Sequence, residues 1–125
     1  MLLDPPYHDI IGFSTDARDL SNAVDEAAFL RAFGTVAGLA AERVRAGGHV
    51  VLVIGGAFSA GRLRPLGFHA MNECTKAGLT LRAINVKDIQ GNVRGKGKAT
   101  NLWRYRALKM GLYVFKHEYV MLFRR

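Results

Sequence analysis

The chain is poor in the residues that would allow several common classes of function. It has 125 residues and a single cysteine, Cys74, so no internal disulfide can form. No Cys/His cluster has the spacing of a metal site, and no metal is expected. Prolines number only three, and two of them are adjacent at positions 5 and 6. The longest aliphatic run, Val50 to Ile54, falls far short of the ~20 apolar residues a membrane-spanning helix needs. Asp4 and the proline pair interrupt the apolar start, so no secretory leader is expected and the location implied is cytoplasmic. Half of the residues are hydrophobic, which argues against disorder and for one domain with a real core.

Acid is scarce in one region only. Residues 1–86 carry eight Lys/Arg and eight Asp/Glu, and so are neutral. Residues 87–125 carry ten Lys/Arg against Asp88 and Glu118, so the whole formal excess of +8 lies there. Charge distributed in this way points to a polyanionic partner, with nucleic acid favoured over a merely solvated basic surface.

The pattern along the chain alternates. Leu2-Leu3 reads as the end of a buried strand, and residues 5–21 as a loop. A helix is predicted from about Asn22, capped by Ser21 or Asn22, with Asp25 and Glu26 in its first turn. Phe29, Phe33, Val36, Ala40 and Val44 form its apolar stripe, and Gly47-Gly48 ends it. "HVVLVIGG" reads as a strand buried on both faces, and "GGAFSAGR" as a flexible loop. Pro65 opens a second helix over Leu66 to Ala77, with Lys76 in its last turn and Gly78 beyond it. "LTLRAINVK" and "YVFKHEYVMLF" read as two more strands. With no helical pattern between them, they are expected to pair antiparallel at the sheet edge, with the C-terminal strand as the edge strand. The fold class implied is α/β, an open sheet with parallel strands and crossover helices, in a single domain over 1–125. Residues 88–112 stand out as a basic, glycine-rich insertion facing nucleic acid.

The adjacent prolines sit inside "DPPY", immediately after the first strand stub. Ligands of open α/β sheets bind beyond the carboxyl ends of the strands, which is where Asp4 would stand. Pro5 and Pro6 restrict their own φ and their neighbours, and so hold Asp4 and Tyr7 in few orientations. The Asp4 carboxylate and the Pro5 carbonyl are acceptors, and Tyr7 offers an aromatic face. A planar group bearing an amine suits this set, because the amine donates twice and the ring stacks. The alternative is that Asp4 only begins a turn and Tyr7 packs on the loop.

With these residues in view, the sequence resembles the amino-methyltransferases that modify N6 of adenine or N4 of cytosine in DNA. "DPPY" is similar to that family's Asp/Asn/Ser-Pro-Pro-Tyr signature at the end of the fourth strand of its sheet. "RVRAGGHVVLVIGG" resembles the helix end, glycine turn and fifth strand, "LRAINVK" a later strand, and "FKHEYVMLFRR" the final strand. The resemblance implies a partial Rossmann-like methyltransferase sheet and S-adenosylmethionine as methyl donor. It implies methyl transfer to a flipped-out base, with Asp4, Pro5, Pro6 and Tyr7 as the catalytic set. Asp4 and Pro5 would hold the exocyclic amine and Tyr7 would stack on the base. Asp4 and Ser14 would face the cofactor, with Asp16 nearby. No covalent enzyme intermediate is implied, so Cys74 need not act as a nucleophile.

Nucleic-acid contacts are expected from Lys87, Arg94, Lys96, Lys98, Asn101, Trp103, Arg104, Tyr105 and Arg106. Trp103 has a second reading as an anchor to the core. His8 and Asp9 read as exposed loop residues beside the motif. His49, His69, His117 and Glu118 read as structural. The family's Phe-x-Gly-x-Gly turn and the acidic residue after its second strand do not occur. The expected partners are therefore DNA and either a second chain supplying the cofactor half or another copy of this one, with no membrane. RNA as substrate, or a remnant that binds nucleic acid without methylating it, are the alternatives.

Overall fold

The computed structural model describes residues 1–7, 12–59, 61–89, 105–106, 108–111, 113 and 117–125. In chain order its strands are β1 (Leu2–Leu3), β2 (His49–Ile54), β3 (Ala57–Ser59), β4 (Arg62–Arg64), β5 (Thr80–Asp88) and β6 (His117–Arg124). Helix α1 (Glu26–Arg43) precedes β2, and α2 (Leu66–Lys76) lies between β4 and β5. The main sheet has four strands in the spatial order β1-β2-β6-β5. β1 runs parallel to β2, with Leu2 opposite Val51, while β6 is antiparallel to both β2 and β5.

The mixed α/β sheet matches the expectation, with one correction. The C-terminal strand is not at the edge: β6 lies between β2 and β5, and β5 is the edge strand. The residue pattern explains the placement. Met121 and Phe123 of β6 are fully buried, whereas Ile84 and Val86 of β5 are 40% and 66% exposed. The more apolar strand takes the interior position, where it has a partner on both sides.

One core holds the domain together. Val50, Leu52 and Ile54 alternate inward from β2 and meet Phe29, Phe33 and Ala37 of α1 and Leu66, Ala70 and Cys74 of α2. Phe29 and Phe33 are fully buried with stacked rings at 6.2 Å, and burial of each contributes about 1.5–3 kcal/mol. Val36, predicted for this stripe, is 37% exposed, and Ala37 occupies the inner position. A small residue there allows the two helices to approach.

The start of α1 also differs from the expectation. Asp25, not Ser21 or Asn22, is the N-cap, and its carboxylate accepts from the Ala28 N–H. Residues Leu20–Asn22 instead form a separate 3-10 turn capped by Asp19. Asp19 competes successfully because its carboxylate accepts from both the backbone N–H and the hydroxyl of Ser21. At the other end of α1, the Arg125 guanidinium donates to the carbonyls of Glu42, at 2.9 Å, and Val44. It covers acceptors that the helix leaves open and suits the negative end of the dipole.

"GGAFSAGR" is not a plain loop. It enters a small antiparallel hairpin of β3 and β4, separate from the main sheet. Gly61 turns the chain with φ +72°, a value that other residues rarely adopt. α2 begins as expected after Pro65. Among the described residues, no helix is long and apolar enough to cross a membrane.

Candidate active site at the strand ends

β1 and β2 are parallel, so their carboxyl ends lie together, and the antiparallel β6 begins at the same end. Asp4 follows β1, Gly55 follows β2, and Glu118 is the second residue of β6, paired in register with Lys87 of β5. The topology therefore gathers residues that are far apart in sequence.

Asp4 is exposed and Pro5 is buried, while Pro6 and Tyr7 are half-buried. Among the described residues, no hydrogen bond or ion pair engages the Asp4 carboxylate. Tyr7 packs against the core cluster, and its hydroxyl accepts a hydrogen bond from the backbone N–H of Gly55. The prolines fix the tyrosine at its backbone, and this bond fixes it at its hydroxyl. Tyr7 is thereby anchored to the neighbouring strand.

Gly55 sits at a close approach of chain segments. A Cβ on it would stand 3.0 Å from the Tyr7 hydroxyl oxygen and 3.4 Å from the Glu118 Cβ. Its carbonyl accepts from the Gly67 N–H at 2.9 Å, which seats the first turn of α2 on the end of β2. A Cβ on Gly67 would lie 3.1 Å from the Tyr119 ring. Tyr119 in turn contacts Phe68, with ring centres 5.0 Å apart, and its hydroxyl lies 3.2 Å from His117 Nε2. His117 thus supports the aromatic group, in keeping with a structural role.

Electrostatics join the same residues. Burial pushes the Tyr7 phenol above its ordinary pKa; the Gly55 N–H opposes this, and the charges of Glu118 and Asp4 add to it. Lys87 donates to Glu118 at 2.5 Å, and this bond and the Glu118 charge raise its pKa, with Asp4 adding a smaller effect. Asp4, Tyr7, Lys87 and Glu118 therefore share one electrostatic neighbourhood. For Lys87, predicted to contact nucleic acid, the ammonium is held by Glu118 while the side chain stays 57% exposed.

Ser14, expected to face a cofactor, is occupied locally. Its hydroxyl donates to Asp19 at 2.9 Å and accepts from the Asp16 N–H at 3.2 Å. Hydrogen bonds from Ser21 and Ser14 hold Asp19 below the usual carboxylate range. Arg18 does the same for Asp16, pairing with it at 2.7 Å. This network shapes the approach to α1 and leaves Ser14 and Asp16 exposed. Tyr105 and Arg106 lie exposed in a helical turn. Arg94, Lys96, Lys98, Asn101, Trp103, Arg104, His8 and Asp9 lie outside the described residues. Cys74 is fully buried in α2, and burial pushes its thiol up to about 12, so it is not a nucleophile.

The solved structures most informative here are of TTHA0409, a candidate DNA modification methylase from Thermus thermophilus. A selenomethionine form aligns over 99% of this chain with a TM-score of 0.65 and 18% identity. The chain shares the fold of the matched part of that protein. A second form, complexed with S-adenosyl-L-methionine, gives a TM-score of 0.64 at 19% identity. A third gives 0.65 at 20%. The match covers only 43–46% of the methylase, so this chain spans rather less than half its length. No family model and no curated protein matches the sequence.

Two features of the site are not visible in the sequence. Glu118 reads there as support for a strand, yet it faces Lys87 and bears on Tyr7. The signal available is a single acid at the start of an otherwise apolar strand. The Gly55 anchor has no signal in sequence, because it depends on β1 and β2 lying side by side.

Proposed function

We propose that the chain is the target-facing part of a DNA amino-methyltransferase acting on the exocyclic amine of adenine or cytosine. The Asp4 carboxylate, exposed at the strand ends and without a hydrogen bond or ion pair among the described residues, carries this reading beside the anchored Tyr7. Asp4 and the Pro5 carbonyl accept the two amine hydrogens and so orient the nitrogen lone pair. Tyr7 supports the ring of a base taken out of its stack. The catalytic contribution of these residues is positioning, together with negative charge beside an amine that becomes cationic as it is alkylated.

Adenosylmethionine, bound to the neighbouring fold in one of its solved structures, would supply the methyl group. Of the residues assigned to it, Asp4 stands exposed at the strand ends, while Ser14 is hydrogen-bonded to Asp19 and to the Asp16 N–H. A companion polypeptide segment carrying the cofactor half completes the enzyme in this reading, and the chain alone binds the cofactor weakly. DNA is the substrate class that the neighbours' description and the basic residues 87–125 support together.

The test is transfer of labelled methyl groups to DNA, measured with the purified chain supplemented by a polypeptide carrying the cofactor half, for wild type and Asp4→Ala. Label on the base amine that disappears with Asp4→Ala supports the proposal. Equal label with both proteins removes Asp4 from the chemistry. Methylation of structured RNA in preference to DNA would change the substrate.

A further inference from the structure

We infer that the β3–β4 hairpin is a second DNA-contacting element, in which Arg62 binds a phosphate and Phe58 with Leu63 forms an apolar wedge beside the displaced base. The inference rests on the DNA reading above and adds a part of the surface that the basic carboxyl third does not include.

Position is the first argument. The hairpin begins three residues after Ile54, at the end of the sheet where Asp4 and Tyr7 stand. Its approach is rigid, because the N–H of Gly55 is bonded to Tyr7 and its carbonyl to Gly67. Its return strand is tied down by Arg64, which lies 3.6 Å from Glu26, the cap-proximal acid of α1. Glu26 also meets His69 Nδ1 of α2 at 2.6 Å, so both helices brace the hairpin base.

The exposed side chains are the second argument. Phe58 and Leu63 face each other across the hairpin and so share one side of it. They are 42% and 50% exposed. Rings and branched side chains of this kind, on a rigid projection, are what DNA-bending and base-displacing proteins insert at a base step. Arg62 is exposed at the start of the return strand, with no ion pair among the described residues.

Charge is the third. The turn at Gly61 rests against the 108–111 segment, since a Cβ there would lie 3.7 Å from the Met110 sulfur. That segment adds Lys109, near Arg106, and exposes Met110 at 56%. Residues 55–64 and 105–111 contain no Asp or Glu. A surface of cations interleaved with apolar side chains, and without acids, complements phosphates flanking unstacked bases.

The experiment is an anisotropy titration of the purified chain with two labelled duplexes at several salt concentrations. One duplex is fully paired and the other carries a single unpaired adenine. Arg62→Ala is expected to weaken binding to both duplexes alike, several-fold, and to reduce the salt slope by about one unit. Phe58→Ser with Leu63→Ser is expected to keep the salt slope and lose preference for the duplex with the unpaired base. All three positions are exposed, and thermal melts check that the variants fold. Wild-type binding with both variants unchanged overturns the hairpin assignment and leaves the DNA reading standing. Failure of the wild-type chain to bind either duplex overturns both.

Discussion

The backbone N–H of Gly55 donates to the hydroxyl of Tyr7, joining the residue after β2 to the tetrapeptide after β1. Forty-eight positions separate them in sequence. This bond makes the orientation of the tyrosine a property of the sheet and not of its own loop, and it places Asp4 beside a fixed aromatic ring.

Tyr7→Phe keeps the ring and removes the acceptor. The half-buried Gly55 N–H is then left without its partner, and a loss of roughly 1–3 kcal/mol in folding stability is expected. Denaturant titration measures it. The pH dependence follows from the raised phenol pKa. A group whose pKa is higher folded than unfolded contributes stability below its unfolded value, here 10.0, and loses it as pH rises through the folded value. Wild type should therefore lose stability above about pH 10 more steeply than Tyr7→Phe. Parallel alkaline limbs for the two proteins would show that Tyr7 is not held as described.

Glu118 neutralises Lys87 and bears on the Tyr7 phenol. Glu118→Gln is expected to do two things. It lowers the Tyr7 pKa, read by ultraviolet titration, because a negative charge beside the phenol is gone. It also strengthens DNA binding a few-fold at low salt, because Lys87 is freed toward phosphates. The ion pair is largely exposed on its lysine side, so little change in folding stability is expected.

Cys74 is predicted to be inert. Its thiol is fully buried and its pKa is raised to about 12, so a disulfide reagent at neutral pH should label it only as fast as the chain unfolds. The raised pKa also means that its contribution to stability is intact below the ordinary thiol value of 9.0 and lost as pH rises toward 12. Cys74→Ala should leave DNA binding unchanged. Rapid native labelling would contradict the packing of α2 on the sheet.

The legibility of this chain in its sequence follows the range of the forces involved. β2, β5, β6 and α2 are readable because each is dominated by its own apolar pattern or by a local stop signal such as Pro65 or Gly78. The start of α1 is misplaced by sequence alone because several side chains compete to cap nearby turns. Only the geometry shows Asp19 serving the 3-10 turn and Asp25 the helix. Whether the last strand lies inside or at the edge depends on which of two apolar strands gains more from a second neighbour. No local pattern records that choice. The same holds for the site: "DPPY" announces Asp4 and Tyr7, whereas the parts played by Gly55 and Glu118 emerge only from tertiary contacts. The hairpin is hidden because "GGAFSAGR" is too short and glycine-rich to show alternation.

The central claim is that the strand ends around Asp4 hold an exocyclic amine. The most direct measurement compares affinities for duplexes bearing one unpaired base, either adenine or the same purine without its amine. Neither cofactor nor recognition sequence enters. Two hydrogen bonds to Asp4 and Pro5, one of them to a carboxylate, predict at least about 10-fold tighter binding of the adenine duplex. They also predict that Asp4→Ala removes this preference without changing the melting temperature. Equal affinity for the two duplexes, or a preference that survives Asp4→Ala, would contradict the assignment.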